Sequence, residues 1–288
     1  MSASDAYDGE MTRAFGSRHR ILNQLVGLGV LGAATVCAGP SDALGQVASP
    51  GSHVDLPEGD LAERLVEVDE KVYEGHFHEG LDAMRELAEE EPGDVEVLWR
   101  LSRVKTDVGF ELGEDDPDQE KLYVAALELA RDAVEADPDH PEAHVSAAIA
   151  AGRAAMVAGV RDRVELSREV LEHAEGALEL APDHDVAYHL RGRWHHEVAT
   201  LGLVARTALK TIYGGLPDAS LDDAVEDFRR AIELEDRVIH RFKLAKTLLE
   251  KGDEDEALRQ LEKAVEMPLD APRAHIQKER AEEILDDA

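Results

Sequence analysis

The sequence predicts an all-α fold, an α-solenoid of stacked antiparallel helix pairs. Three observations predict it. From Leu61 onward apolar residues recur at spacings of three and four, and no alternating strand pattern survives. One helix-like segment returns five times along the chain. Only 4% of the residues are aromatic while 43% are hydrophobic, so the core must come from Leu, Ala and Val.

Taken in order, residues 1–43 read as a secretory signal segment. Arg13, Arg18, His19 and Arg20 form a basic patch, an apolar run from Leu25 to Ala38 follows, and small residues lead to Ala43 and Gly45. Cleavage is expected near 43–45. The 14-residue run is short for a bilayer, and an uncleaved N-terminal membrane anchor is the alternative. Lipid attachment at Cys37 is disfavoured by the bulk of Val36. The expected location is exported, periplasmic or in the cell envelope. Residues 44–59 read as a Gly-, Ser- and Pro-bearing linker, and 60–288 as the repeat domain.

Within that domain the returning segment takes the forms HEGLDAMRELAEEEPGD, YVAALELARDAVEADPDH, VLEHAEGALELAPDH, LDDAVEDFRRAIELED and EDEALRQLEKAVEMP. One late position is Leu87, Ala133, Ala177, Ala231 and Ala264, at steps of 46, 44, 54 and 33 residues. Gly80, Ala126, Ala224 and Ala257 occupy an earlier position. Small residues there let two antiparallel helices cross closely, and one hairpin cannot bury its apolar face alone, so neighbours must stack. This is the second helix of a tetratricopeptide-like repeat, whose standard period is about 34 residues. The first helices are expected at 61–74, 95–110, 141–158, 185–207 and 238–250. Pro92, Pro138 and Pro182 stop second helices, since proline lacks an amide proton. The longer steps place extra residues at 111–118, 159–165 and 208–220. Asp253 with Glu256 reads as a cap on the last second helix, and 273–285 as a polar terminal capping helix.

The charge excludes some partners. With 63 acidic and 31 basic residues the net charge is -32, which rules out nucleic-acid binding through a general basic surface. An anionic membrane is an equally poor match for the bulk of this surface. Only nine of the 31 bases are lysine. Such an acidic, lysine-poor chain suits concentrated salt, which screens its self-repulsion. A single cysteine leaves no internal disulfide and no thiolate cluster for a metal.

The stretch from Ala187 to Glu235 goes beyond a generic repeat. Gly192-Arg193-Trp194, then Glu197-Val198-Ala199, then Pro217, Ala224 and Phe228 resemble the regulator of microtubule dynamics family. Trp99 to Arg103 and the segment from Gly159 to His184 share the resemblance, which spans roughly 61–268. Arg191 departs from the pattern. The resemblance implies a helical-repeat domain, and one relative is described as binding and transferring phospholipid through it. The organelle-targeting and contact-site features of the eukaryotic relatives are not recognised here, so no microtubule role is expected.

Trp99 and Trp194, the only tryptophans, and Arg100, Arg103, Arg193 and Arg206 all fall in expected first helices, the ones that line the concave face of a solenoid. The tryptophans would either anchor a peptide or acyl chain, or pack between helices. The arginines would either fork onto a carboxylate or phosphate, or pair internally, with Glu197 one helical turn beyond Arg193 as a partner. His189, His195 and His196, with His184 nearby, lack the tight spacing of a metal site, and no nucleophile motif or phosphate loop appears outside residues 1–43. The expectation is a non-catalytic protein without cofactor or metal. Its groove would bind a protein or peptide partner through these residues; the alternative is carriage of a phospholipid or other apolar ligand.

Overall fold

The structure, a computed structural model, describes residues 59–288; the expected signal segment and nearly all of the linker lie outside the described residues. Those described form twelve helices and no strand. They are α1 (Asp60–Tyr73), α2 (Phe77–Glu90), α3 (Val95–Leu112), α4 (Pro117–Ala136), α5 (Pro141–Val157), α6 (Val160–Leu180), α7 (Asp185–Thr200), α8 (Leu203–Tyr213), α9 (Leu221–Leu234), α10 (Val238–Lys251), α11 (Glu254–Glu266) and α12 (Ala274–Asp286). The pairs α1/α2, α3/α4, α5/α6, α7/α9 and α10/α11 stack in sequence, and α12 covers α10 and α11.

The repeated small positions sit where the helices meet. Leu87, Ala133, Ala177, Ala231 and Ala264 are all buried, as are Ala126, Ala224 and Ala257. A Cβ on Gly80 would lie 2.6 Å from Val72 Cγ2, so only glycine permits α2 to approach α1 this closely. Gly192 serves α7 in the same way: a Cβ there would come within 3.2 Å of the Phe228 ring on α9. Each of Pro92, Pro138 and Pro182 falls two residues beyond the end of a second helix.

Three expectations about boundaries are corrected. The helix expected over 185–207 breaks at Leu201 and Gly202, and its tail belongs to α8. The residues 159–165 do not form an insertion loop; they extend α6, which starts at Val160. Asp253 occupies the N-cap of α11 without a side-chain cap bond, whereas Ser220 caps α9 through the Asp223 amide, 3.0 Å away.

The array bends until its ends meet. Arg273, just before α12, donates to Asp107 Oδ1 at 2.8 Å and to the Asp107 carbonyl at 2.9 Å, although 166 residues separate them. Its guanidinium lies 4.1 Å from the Phe77 ring centre and 4.7 Å from that of Phe110. These contacts join the last repeat to α2 and α3 and enclose the inner face.

Candidate functional site: the enclosed inner face

Each first helix carries a polar stripe at helical spacing. On α3 it is Glu96, Arg100, Arg103 and Asp107; on α5, Glu142, Ser146 and Arg153. On α7 it is Asp185, His189, Arg193 and Glu197; on α10 it is His240, Lys243 and Thr247, with Arg237 at the N-cap. All of these are buried except Asp185, which is half-buried. Among the buried charged residues seven are basic and five acidic, in a chain with twice as many acids as bases. Cations are therefore enriched over acids on the inside, relative to the chain as a whole.

Carboxylates meet some of them. Arg100 Nε lies 3.0 Å from Asp69 Oδ2 of α1, and its Nη1 donates to Glu96. Arg237 Nε is 2.8 Å from Asp185 Oδ2. Arg103 differs. It is 5% exposed, and its Nε and Nη2 have no hydrogen-bond partner. Burial lowers its pKa, while Asp107, Glu142 and Asp69 hold it up from α3, α5 and α1, and Arg237 opposes them. Burial also brings Arg153 down to about 10, with Arg193 and Arg273 contributing like charge; it stays protonated at neutral pH. Glu197 moves the other way. Burial raises its pKa to about 7 against the opposing pull of Arg193 and Lys246.

A second polar motif runs along the N-termini of the first helices. His140 caps α5, accepting the Ala143 amide at Nδ1 (3.3 Å), while its Nε2–H donates to Glu96 Oε1 of the preceding repeat at 2.9 Å. His184 repeats this on α7, with the Ala187 amide at 3.4 Å and Glu142 Oε1 at 3.0 Å. His240 Nε2 continues the series to Asp185 Oδ2 at 3.0 Å. Burial favours a protonated Glu96, yet His140, Arg100 and Trp99 hold its pKa down to about 2. Burial lowers the pKa of His140 and of His184 as well, but the glutamate bonds outweigh it and both are raised. This bridging role is not read from the sequence, where His184 is weighed only as a metal ligand and His140 and His240 are not singled out. The signal is there: His140 and Glu96 stand 44 residues apart and His184 and Glu142 stand 42 apart, each two short of the local repeat steps of 46 and 44.

The sequence-predicted site residues divide into three groups. Trp99 and Trp194 are 1% and 0% exposed, so neither presents a ring to the groove. Trp99 Nε1–H donates to Glu96 Oε2 at 2.9 Å, and Trp194 Nε1–H to the Ser167 carbonyl at 2.8 Å. Both side chains are spent on packing between helices. Arg100, Arg103, Arg193 and Glu197 do line the inner face, with Arg100 in an internal ion pair. Arg206 is displaced from it: on α8, outside the first helices, its Nη2 donates to the Val198 carbonyl of α7 at 3.0 Å and to that of Ala199. The histidines considered for a metal point to separate partners. His184 meets Glu142, His189 Nδ1 meets His240 Nδ1 at 2.8 Å, and His196 Nδ1 meets Thr247 Oγ1 at 2.9 Å. Arg191, the departure from the family pattern, pairs with buried Asp227 at 2.6 Å and joins α7 to α9 beside Gly192.

Stacked helix pairs with small residues at each crossing, a polar stripe on each first helix and a terminal cap define a tetratricopeptide-like helical-repeat protein. Residues 64–288 match the family described as Regulator of microtubule dynamics protein 1-3, and the chain belongs to that family. It is 29% identical over 180 residues to Regulator of microtubule dynamics protein 1 of Bos taurus, covering 62% of this chain and 57% of the relative. To the Caenorhabditis elegans protein of the same name it is 25% identical over 201 residues, covering 69% of this chain and 88% of the relative. Against Regulator of microtubule dynamics protein 3 of Xenopus laevis the identity is 29%, and the match covers 60% of this chain and 38% of the relative. The chain thus spans between 38% and 57% of the bovine and frog relatives. Among solved structures, a thermophilic TPR protein of Thermus thermophilus superposes with a TM-score of 0.56 at 22% identity, over 76% of this chain and 97% of that one. That likeness concerns the fold.

Proposed function

We propose that the chain is a non-catalytic binding scaffold whose inner face takes an anionic group of a peptide or protein partner. The observation that carries this reading is Arg103, a buried guanidinium with two nitrogens lacking hydrogen-bond partners where α1, α3, α5 and α10 converge. Nearly every buried polar group in a folded protein is hydrogen-bonded, and a planar fork left open fits a carboxylate in two-point contact. Glu197 supports it. With a pKa of about 7 it holds a proton at mildly acidic pH and then leaves the positive charge of Arg193 and Lys246 undiminished. The partner reaches Arg103 when the Arg273–Asp107 tie gives way.

The same fork would hold a phosphate, so an anionic phospholipid is the second ligand to test. The alanines of α5 argue for a peptide over an acyl chain, because Ala147, Ala150, Ala151 and Ala154 pack against Leu127, Val170, Leu171 and Trp194. No nucleic-acid or microtubule partner is proposed. Export to the cell envelope through residues 1–43 is part of the proposal, and N-terminal sequencing of the secreted protein tests it.

The binding test titrates the full chain with short peptides ending in a free acidic C-terminus, alongside amidated neutral controls. Binding of the acidic peptides, weakened about tenfold or more in Arg103→Gln, is the expected outcome. Equal affinity of acidic and neutral peptides, or an unaffected Arg103→Gln variant, contradicts the reading.

A further inference from the structure

The geometry points to α8 as a docking face for an acidic amphipathic helix of a protein partner. Residues 198–217 contain no Asp or Glu, the longest such stretch among the described residues. The next, 143–161, falls mainly on α5, which is enclosed by its neighbours. The α8 stretch faces water. Leu203 is 80% exposed, Val204 64% and Ile212 46%, the first two being the most exposed large apolar side chains of the described residues. Its inward residues, Ala205 and Leu209, are already buried, Leu209 within the core that holds Trp194, Val198 and Leu201. The outer face therefore has no partner within the described residues.

The shape of that face favours a helix. Leu203 and Val204 stand at one end and Ile212 at the other, with Thr207, Ala208 and Thr211 between them. Small residues between bulky ones form a saddle into which a ridge of side chains on a crossing helix fits. Thr207 Oγ1 donates to the Leu203 carbonyl and Thr211 Oγ1 to the Thr207 carbonyl, each at 2.8 Å. Those hydroxyls need nothing from a partner. The C-terminal end is fixed by Arg168, whose Nη2 donates to the carbonyls of Tyr213 and Gly215, both at 2.6 Å. The face is thus held in shape before binding, which lowers the ordering cost.

Charge sets the partner's character. Exposed Lys210 and Arg206 flank the saddle with no acid beside them in sequence, so carboxylates on the rim of a docking helix meet cations here and acids elsewhere on this chain. A bilayer suits the face less well. Interfacial helices insert Trp, Phe or Leu, and the centre of this one offers only threonine and alanine. A second copy would bring two strongly acidic chains together.

The test uses the full isotope-labelled chain and a synthetic helix-stapled peptide with leucines at positions i, i+4 and i+7 flanked by glutamates. The same peptide with lysines for glutamates is the control, and vesicles of phosphatidylcholine with phosphatidylglycerol are the competing surface. Binding in the range of about 10–100 µM, with amide shifts concentrated at 203–212, is expected. It weakens about tenfold or more in V204E/I212E and with the lysine peptide, and is unchanged in R103Q, which separates this face from the inner one. Both glutamates replace exposed side chains, so an unchanged thermal melt verifies the fold. The proposal is overturned if the glutamate peptide fails to bind, if the lysine peptide binds as well, or if V204E/I212E has no effect. Sedimentation with vesicles that V204E/I212E abolishes, without peptide binding, overturns it in favour of a bilayer.

Discussion

At the scale of single residues, the chemistry depends on which charges have found partners. Arg100 has two carboxylates; Arg103 keeps two donors open in a place water scarcely reaches. Glu197 shows the cost of such burial. Its ordinary pKa is 4.5 and its folded value about 7, so the unfolded chain ionises first and stability falls as pH rises between those values. Glu197→Gln is therefore expected to be about as stable as the parent near pH 4.5. At pH 8 it should be more stable by about 1–3 kcal/mol, read from urea unfolding at the two pH values. An equal effect at both would contradict the assignment. The sequence places Arg100, Arg103, Arg193 and Glu197 on first helices, and the structure agrees. Whether a tryptophan or an arginine on such a helix faces a ligand or a neighbour is illegible there, because that depends on how tightly the array curves, a long-range property that no local spacing encodes.

At the scale of elements, the helix pairs are legible because each second helix carries a small residue at its crossing point, and geometry demands one there. The split of 185–207 is not. Leu201 and Gly202 give a weak break, and the apolar run continues through it. The His–carboxylate bonds link one first helix to the next and add a pH signature. The imidazolium cannot accept the cap bond, but the caps are long (3.3 and 3.4 Å) and the carboxylate bonds short (2.9 and 3.0 Å), so the ion pair dominates. With raised histidine pKa values, its stabilisation is complete below the ordinary 6.5 and is lost as pH rises through the folded values. With Glu96 lowered, the carboxylate share is complete above 4.5 and is lost as pH falls toward about 2. The contribution is greatest between about 4.5 and 6.5. Asparagine retains a capping oxygen but does not reach the glutamate. The variant His140→Asn/His184→Asn should thus lose about 3–5 kcal/mol near pH 5.5 and about half that at pH 8. A loss independent of pH would mean that the histidines act only as caps.

At the scale of the whole molecule, the charge distribution is the organising fact. Cations outnumber acids among the buried charged residues, and the outside carries the excess of acid that composition announced. Self-repulsion of this shell should ease in salt, so the melting temperature of the full chain is expected to rise by roughly 10 °C or more between 0.1 and 2 M KCl. An unchanged melting temperature would refute the dependence. The closure of the array by Arg273 and Asp107 is hidden from sequence, since two residues 166 positions apart announce nothing locally. Yet that closure ties α3, which carries Arg103, to the last repeat, and an anion-bearing partner is the reading we propose for the site. Native mass spectrometry of the full chain, purified in high salt without detergent, tests that claim most directly when wild type and Arg103→Gln are compared. The account predicts an acidic peptide or other anionic ligand retained by the wild type and missing from Arg103→Gln. A wild-type chain free of ligand, or the same ligand at equal occupancy in both, would contradict it.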